Sequence, residues 1–249
     1  MPGPASRCWL SWVRSSSSCT VWRRGMAGVG GVVLFSGAMS GQARPGPLLR
    51  VLGRAVTSAV ARFPATWQFL RVPVRRFFDA QATNWDERAG SDPTEYLAPL
   101  STALDHLPIT PGRILDIGTG TGAAAIEMAA RFADAEIVGI DVSAEMIARA
   151  RSYTSESPGR PTFLVADAAD FEHDEGFDLI TMLNMPPFFD RVVVLLAPGG
   201  CVVHASSHGA RTPFFSPPGV LRSGFSRRGL QTVASGCAGP GTFYIGRRP

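Results

Sequence analysis

The chain has 249 residues, 45% of them apolar and 18% charged, with a formal net charge of +4. That is enough for one α/β domain with a substantial core plus appendages, and it excludes a wholly disordered chain. All 24 basic residues are Arg, which excludes any mechanism that needs a Schiff-base or general-base lysine.

Charge is zoned along the chain. Residues 1–78 carry 11 Arg and no acid, residues 79–190 carry 6 Arg and all 20 acids, and residues 191–249 carry 7 Arg and no acid. The result is an acidic middle between two basic ends. The cysteines, Cys8, Cys19, Cys201 and Cys237, show no CxxC pair and no metal-ligand spacing, so neither a disulfide scaffold nor a metal site is expected.

Three segments follow. Residues 1–46 are rich in Gly, Ser and Pro and do not read as a folded domain. Their Arg-rich, acid-free composition admits a signal or transit peptide. The favoured reading is a mis-assigned start, with Met26 or Met39 as the true one. No uncharged run is both long and strongly apolar, so integral membrane association is not expected and a cytoplasmic location is.

Residues 47–107 read as helical. Leu48, Leu52, Val56, Val60 and Phe63 recur at the spacing of one helix face, and Trp67, Phe69 and Leu70 form a second apolar cluster after Pro64. Such a basic amphipathic helix can lie on an anionic membrane, but a docking or lid helix is the favoured reading. Tyr96, Leu97, Leu100, Leu104 and Leu107 make a further apolar stripe.

Residues 108–249 alternate strand and helix. "RILDIG", "AEIVGID", "PTFLVAD", "FDLITMLN" and "CVVHASS" read as five strands, with helices after the first two, the second capped by Ser143. "LAPGG" reads as the turn that introduces strand five. "LQTVASG" and "TFYIGRR" read as a closing antiparallel hairpin. The expected fold is a doubly wound, Rossmann-like α/β domain, with a mostly parallel seven-stranded sheet and N-terminal helices.

Gly118, Gly120 and Gly122 sit where strand one turns into a helix, the place where a backbone approaches a ligand. Asp141 ends the next strand, from which its carboxylate can take both ribose hydroxyls. Asp167 ends the third. The set admits two readings, because Gly118, Gly120 and Ala123 also satisfy a dinucleotide fingerprint. Asp116 argues against that one, since it would face a pyrophosphate.

From Ile114 to Gly200 the sequence resembles the core of the class I S-adenosylmethionine-dependent methyltransferases. "LDIGTGTG", "GIDVSAEMIARAR", "VADAADF" and "LAPGG" resemble that family's blocks in order and spacing. The resemblance implies S-adenosylmethionine as cofactor. It places Asp116, Gly118, Thr119, Gly120 and Gly122 at the methionine end, Asp141 and Val142 at the ribose, and Asp167 and Ala168 at the adenine. An NAD(P)- or FAD-dependent oxidoreductase and a catalytically inactive cofactor-binding protein are the alternatives.

The acceptor side is expected at the ends of strands four and five. "LNMPPFF" resembles the Asn-Pro-Pro-aromatic loop of amino-group methyltransferases, which makes Asn184 a candidate amine holder. Met185 interrupts the match, and a prolyl turn packed by Phe188 and Phe189 is the competing reading. His208 is the candidate general base, while His204 reads as a core histidine. Phe214 and Phe215 suggest an apolar lid and a small hydrophobic or aromatic acceptor. The Arg-rich ends keep RNA as the minority acceptor.

Overall fold

The structure is a computed structural model that describes residues 46–85, 93–154 and 161–249. The readings of residues 1–45 as a leader or mis-assigned start lie outside these residues. All described residues fall in one compact unit, Gln42–Pro249.

Among the described residues, seven strands form a single sheet. They are β1 (Arg113–Ile117), β2 (Glu136–Asp141), β3 (Thr162–Val165), β4 (Phe177–Leu183), β5 (Leu196–Ser206), β6 (Gln231–Ala238) and β7 (Gly241–Arg247), in the order β3-β2-β1-β4-β5-β7-β6. The pairs from β3 through β5 are parallel. β7 runs antiparallel between β5 and β6, which closes the sheet with the expected hairpin.

Strand pleat divides the core into two faces. Leu115, Ile117, Ile180 and Val202 pack on one side, and Ile114, Leu179, Cys201 and Val203 on the other. Such two-faced burial is why the central strands read as unbroken apolar runs. Strand order reverses between β1 and β4, so the crevice that an open α/β sheet offers a ligand lies beyond their C-terminal ends.

"LAPGG" is part of β5 rather than a turn before it. Leu196 already pairs with Phe177, and the register shifts between Phe177 and Leu179. Gly199 takes φ +78°, a conformation that only glycine adopts at little cost, so the chain bulges within the strand.

The sheet is flanked by α3 (Pro93–Asp105), α4 (Ala123–Arg131), α5 (Ala144–Thr154), α6 (Phe189–Leu195) and α7 (Pro218–Ser226). Ahead of them come α1 (Pro47–Arg62) and α2 (Trp67–Gln81). The apolar face expected on α1 is split in two. Gly53, Thr57 and Val60 are buried, whereas Leu48, Leu52 and Phe63 face solvent. Gly53 is inward because a Cβ there would lie 2.7 Å from Pro213, so close approach of the loop after β5, not apolar spacing, decides which face is covered. On α2, Trp67 is buried and packs edge-on against Phe188 at 5.2 Å, while Phe69 is exposed. Among the described residues no helix is long and apolar enough to cross a membrane.

Candidate functional site

The turn from β1 into α4 is held first by backbone. The amides of Gly118 and Thr119 both donate to the carbonyl of Ile140, at 2.8 and 3.0 Å. Gly118, Gly120 and Gly122 have φ of +69°, +56° and +89°. Gly118 is also a close approach, since a Cβ there would lie 2.2 Å from the Met185 sulfur. Met185 belongs to the loop after β4, so one glycine lets two loops meet across the switch point.

Two carboxylates stand at the ends of the central strands. Asp116 is buried, and Thr181 on β4 donates to its Oδ1 at 2.6 Å. Its Oδ2 has no hydrogen-bond partner among the described residues, nor has the buried Thr119 hydroxyl. Burial pushes the Asp116 carboxyl up to about 6, against the hydrogen bond from Thr181. Asp141 is likewise pushed up to about 6 by burial, offset in part by the amides of Ser143 and Gly120. Those amides donate at 2.9 Å to Oδ1 and 3.0 Å to Oδ2. Each oxygen keeps a lone pair for a further donor.

Ser143 caps α5 as expected, accepting from the Met146 amide at 3.2 Å. Its hydroxyl donates to Asp79 on α2 at 2.6 Å. Asp167 is also tied to α2. Its Oδ1 accepts from the Trp67 indole at 2.7 Å and from the Ala169 amide at 2.9 Å, and its Oδ2 lies 3.7 Å from Arg71. Ala168 is buried in the core behind it. Val142, Val165, Ala166 and Asp167 form one wall of an open cleft, and Arg71, Val72 and Arg75 of α2 form the other.

The structure therefore brings Asp116, the glycine loop, Asp141, Val142 and Asp167 along one edge of the sheet. Trp67, Arg71, Asp79, Thr181 and Met185 were not among the sequence candidates. Asp79 carried the one available signal: it is the first acid after a long stretch of Arg alone.

On the acceptor side, Asn184 takes φ +58°. Its Nδ2 donates to Tyr96 Oη and Ser207 Oγ, each at 3.0 Å, and its Oδ1 accepts from the Ser207 amide at 2.8 Å. The side chain ties the ends of β4 and β5 to α3. Phe188 and Phe189 are both buried. His204 is buried and donates from Nε2 to the Met185 carbonyl at 2.9 Å. Burial pushes it down to about 4, so it is a neutral core residue. His208 follows β5 and is half-buried, with its amide donating to Thr212. Phe77, Phe78, Trp85 and Phe214 form a chain of ring contacts with centroids 5.3 to 5.8 Å apart. The Trp85 indole nitrogen is 4.0 Å from where a Gly120 Cβ would sit, so this aromatic group abuts the glycine loop.

Comparison with known proteins bears on the domain type and the fold. Residues 114–200 match the model of a methyltransferase domain. A trans-aconitate 2-methyltransferase of Streptomyces avermitilis is 35% identical over 128 residues, 44% of this chain and 48% of that protein. A ubiquinone/menaquinone biosynthesis C-methyltransferase of Geotalea daltonii is 39% identical over 103 residues, 37% of this chain and 44% of that protein. The chain spans about half the length of these curated relatives. The structure of magnesium protoporphyrin IX methyltransferase from Synechocystis PCC 6803, with bound S-adenosylhomocysteine, superposes with a TM-score of 0.56 at 15% identity. It covers 72% of this chain and 99% of that one. At that identity the likeness shows the fold. These matches give the dinucleotide oxidoreductase reading no support.

The residues present fit S-adenosylmethionine. Asp116 Oδ2 is an orphaned buried acceptor suited to a cationic group. Asp141 has spare acceptor capacity for a diol, and the glycine turn gives the backbone close access. Residues 114–200 are thus similar to a methyltransferase domain, and the residues around them fit the cofactor that such domains use.

Proposed function

We propose that this domain transfers a methyl group from S-adenosylmethionine to a small molecule with an aromatic or apolar body. When bound, the cofactor supplies an electrophilic methyl on a sulfonium. Asp116 and the Gly118–Gly122 turn hold the methionine end, with Thr119 as part of that turn. Asp141, with Val142 beside it, holds the ribose, and Asp167 with Ala168 borders the adenine. Trp67 is a positioning residue, since its indole N–H occupies one oxygen of Asp167 and orients the other.

The single observation that carries the acceptor class is the aromatic group against the glycine loop. Phe78, Trp85 and Phe214 offer flat apolar surface beside the methionine end, where they exclude water and align an aromatic nucleophile. Asn184 acts as a clamp for the loop that carries Met185. His208 is the reserve base, needed when the nucleophile carries a proton of high pKa.

Release of demethylated cofactor, measured across phenols, aromatic acids, aliphatic amines, polycarboxylates and RNA, tests this reading. Aromatic acceptors should give the highest kcat/KM. A polycarboxylate, an aliphatic amine or RNA as the best acceptor would overturn it. Calorimetry with S-adenosylhomocysteine tests the cofactor side by itself.

A further inference from the structure

We infer that the outer face of α1 is a docking surface for an anionic lipid bilayer. The helix has two apolar faces, and only one is used by the fold. Gly53, Thr57 and Val60 turn inward. On the other side Leu48, Val51 and Leu52 are 71%, 64% and 54% exposed, and Phe63 at the helix end is 66% exposed. Leu48, Val51, Leu52 and Ala55 lie at i, i+3, i+4 and i+7, which gathers them into one continuous stripe. An apolar stripe of this kind gains nothing from water and marks an interaction surface.

Charge selects the occupant. Residues 47–78 contain Arg50, Arg54, Arg62, Arg71, Arg75 and Arg76 and no acid. Arg54 is held by the carbonyl of Ala210, and Arg71 by Asp167 and Asp170. Arg62 remains beside the stripe, and Arg75 and Arg76 are exposed on α2, all three without an ion pair among the described residues. Apolar side chains flanked by long cationic ones suit the boundary between acyl chains and anionic headgroups, where the guanidinium groups reach outward to phosphate. A second copy of this chain fits poorly, because a symmetric pair would bring the same Arg residues together. RNA would use the Arg residues but leave Leu48, Val51, Leu52 and Phe63 in water. The helix is 16 residues long, about 24 Å at 1.5 Å per residue, so it lies on a bilayer rather than through it.

Sedimentation of the full chain with vesicles tests the inference without reference to methyl transfer. Binding to phosphatidylcholine vesicles doped with phosphatidylglycerol should exceed binding to phosphatidylcholine alone by about tenfold or more, and should weaken as salt is raised. Val51→Asp with Leu52→Asp should lower vesicle binding by at least about tenfold while leaving the melting temperature in place, since both side chains are exposed. Arg62→Gln should lower it by about fivefold. Equal binding to neutral and anionic vesicles would overturn the inference. So would unchanged binding by the double variant, which would place the contact elsewhere in the chain. Binding to RNA or to an acidic protein without vesicle binding, or a stripe-dependent dimer in sedimentation equilibrium, would overturn it as well.

Discussion

Two regions of this molecule meet the proposed cofactor edge by opposite means. The ends of β1 and β2 use backbone amides, glycines, a buried carboxylate and a half-buried one, all close in sequence. The α2 helix reaches the same edge from a distance, through Trp67 to Asp167 and Asp79 to Ser143. The first region is organised by short-range geometry and destabilised by its own buried charge. The second is organised by packing and stabilises that edge with hydrogen bonds to charged groups. The difference teaches that the binding edge is not a property of the sheet alone: a helix without family motifs sets one of its three acids.

The sharpest way to break this contrast is at Asp141. Asp141→Ala should weaken S-adenosylhomocysteine binding by about 1.5–3 kcal/mol, roughly 10- to 100-fold, the scale of hydrogen bonds to a charged group. Calorimetry checks it, and unchanged affinity would remove Asp141 from the site.

Next is pH. Asp116 and Asp141 both have carboxyls near 6. A sulfonium, an ammonium and ribose hydroxyls all favour the ionised forms. Affinity should therefore be full above pH 6 and fall as pH drops through it, by about tenfold per pH unit for each group that must ionise. Folding responds in the opposite sense. Unfolded carboxyls titrate near 3.8, so between 6 and that value the native state binds more protons, and these two groups favour the folded state as pH falls. His204 opposes them: with its folded value near 4 against an ordinary 6.5, it costs stability across that window. Comparing wild type with Asp116→Asn in thermal melts isolates the carboxylate. A flat affinity profile between about pH 5 and about pH 7.5 would sink the account.

Asn184→Ala sharpens the acceptor side. It removes three hydrogen bonds from a position at φ +58°, so it should cost about 2–3 kcal/mol of stability. Turnover and cofactor binding should then follow the folded fraction together. Lost turnover with intact stability and cofactor affinity would restore the amine-holding role.

The smallest expected effect is at Trp67. Trp67→Phe keeps an aromatic ring against Phe188 and removes the hydrogen bond to Asp167. It should weaken cofactor binding by about three- to tenfold, on the scale of one such bond. The loss should be larger for the adenosyl cofactor than for its 6-oxo inosyl analogue, since the proposed site sets Asp167 beside the adenine. An equal loss for both would make Trp67 a packing residue only.

The sheet and the glycine loop were legible in the sequence. Unbroken apolar runs such as Ile114–Ile117 report burial on both faces, and strand–glycine–helix order reports a parallel crossover. The acids at 116, 141 and 167 were legible for the same reason: a strand end is a fixed point along the chain. Other features were settled by packing between distant segments. "LAPGG" became a bulge because Leu196 found Phe177 as partner. Asn184, legible as a polar residue at a strand end, became a clamp only once Tyr96 and Ser207 stood beside it.

The N-terminal helices mark the boundary most clearly. Their helicity and their cationic character follow from periodicity and composition, which are local. Which of the two apolar faces of α1 is buried depends on the Gly53–Pro213 approach, and which oxygen of Asp167 is taken depends on Trp67, 100 residues earlier. Local pattern fixes what an element can do. Contacts across the chain decide what it does, because burial and hydrogen-bond satisfaction are properties of neighbours in space.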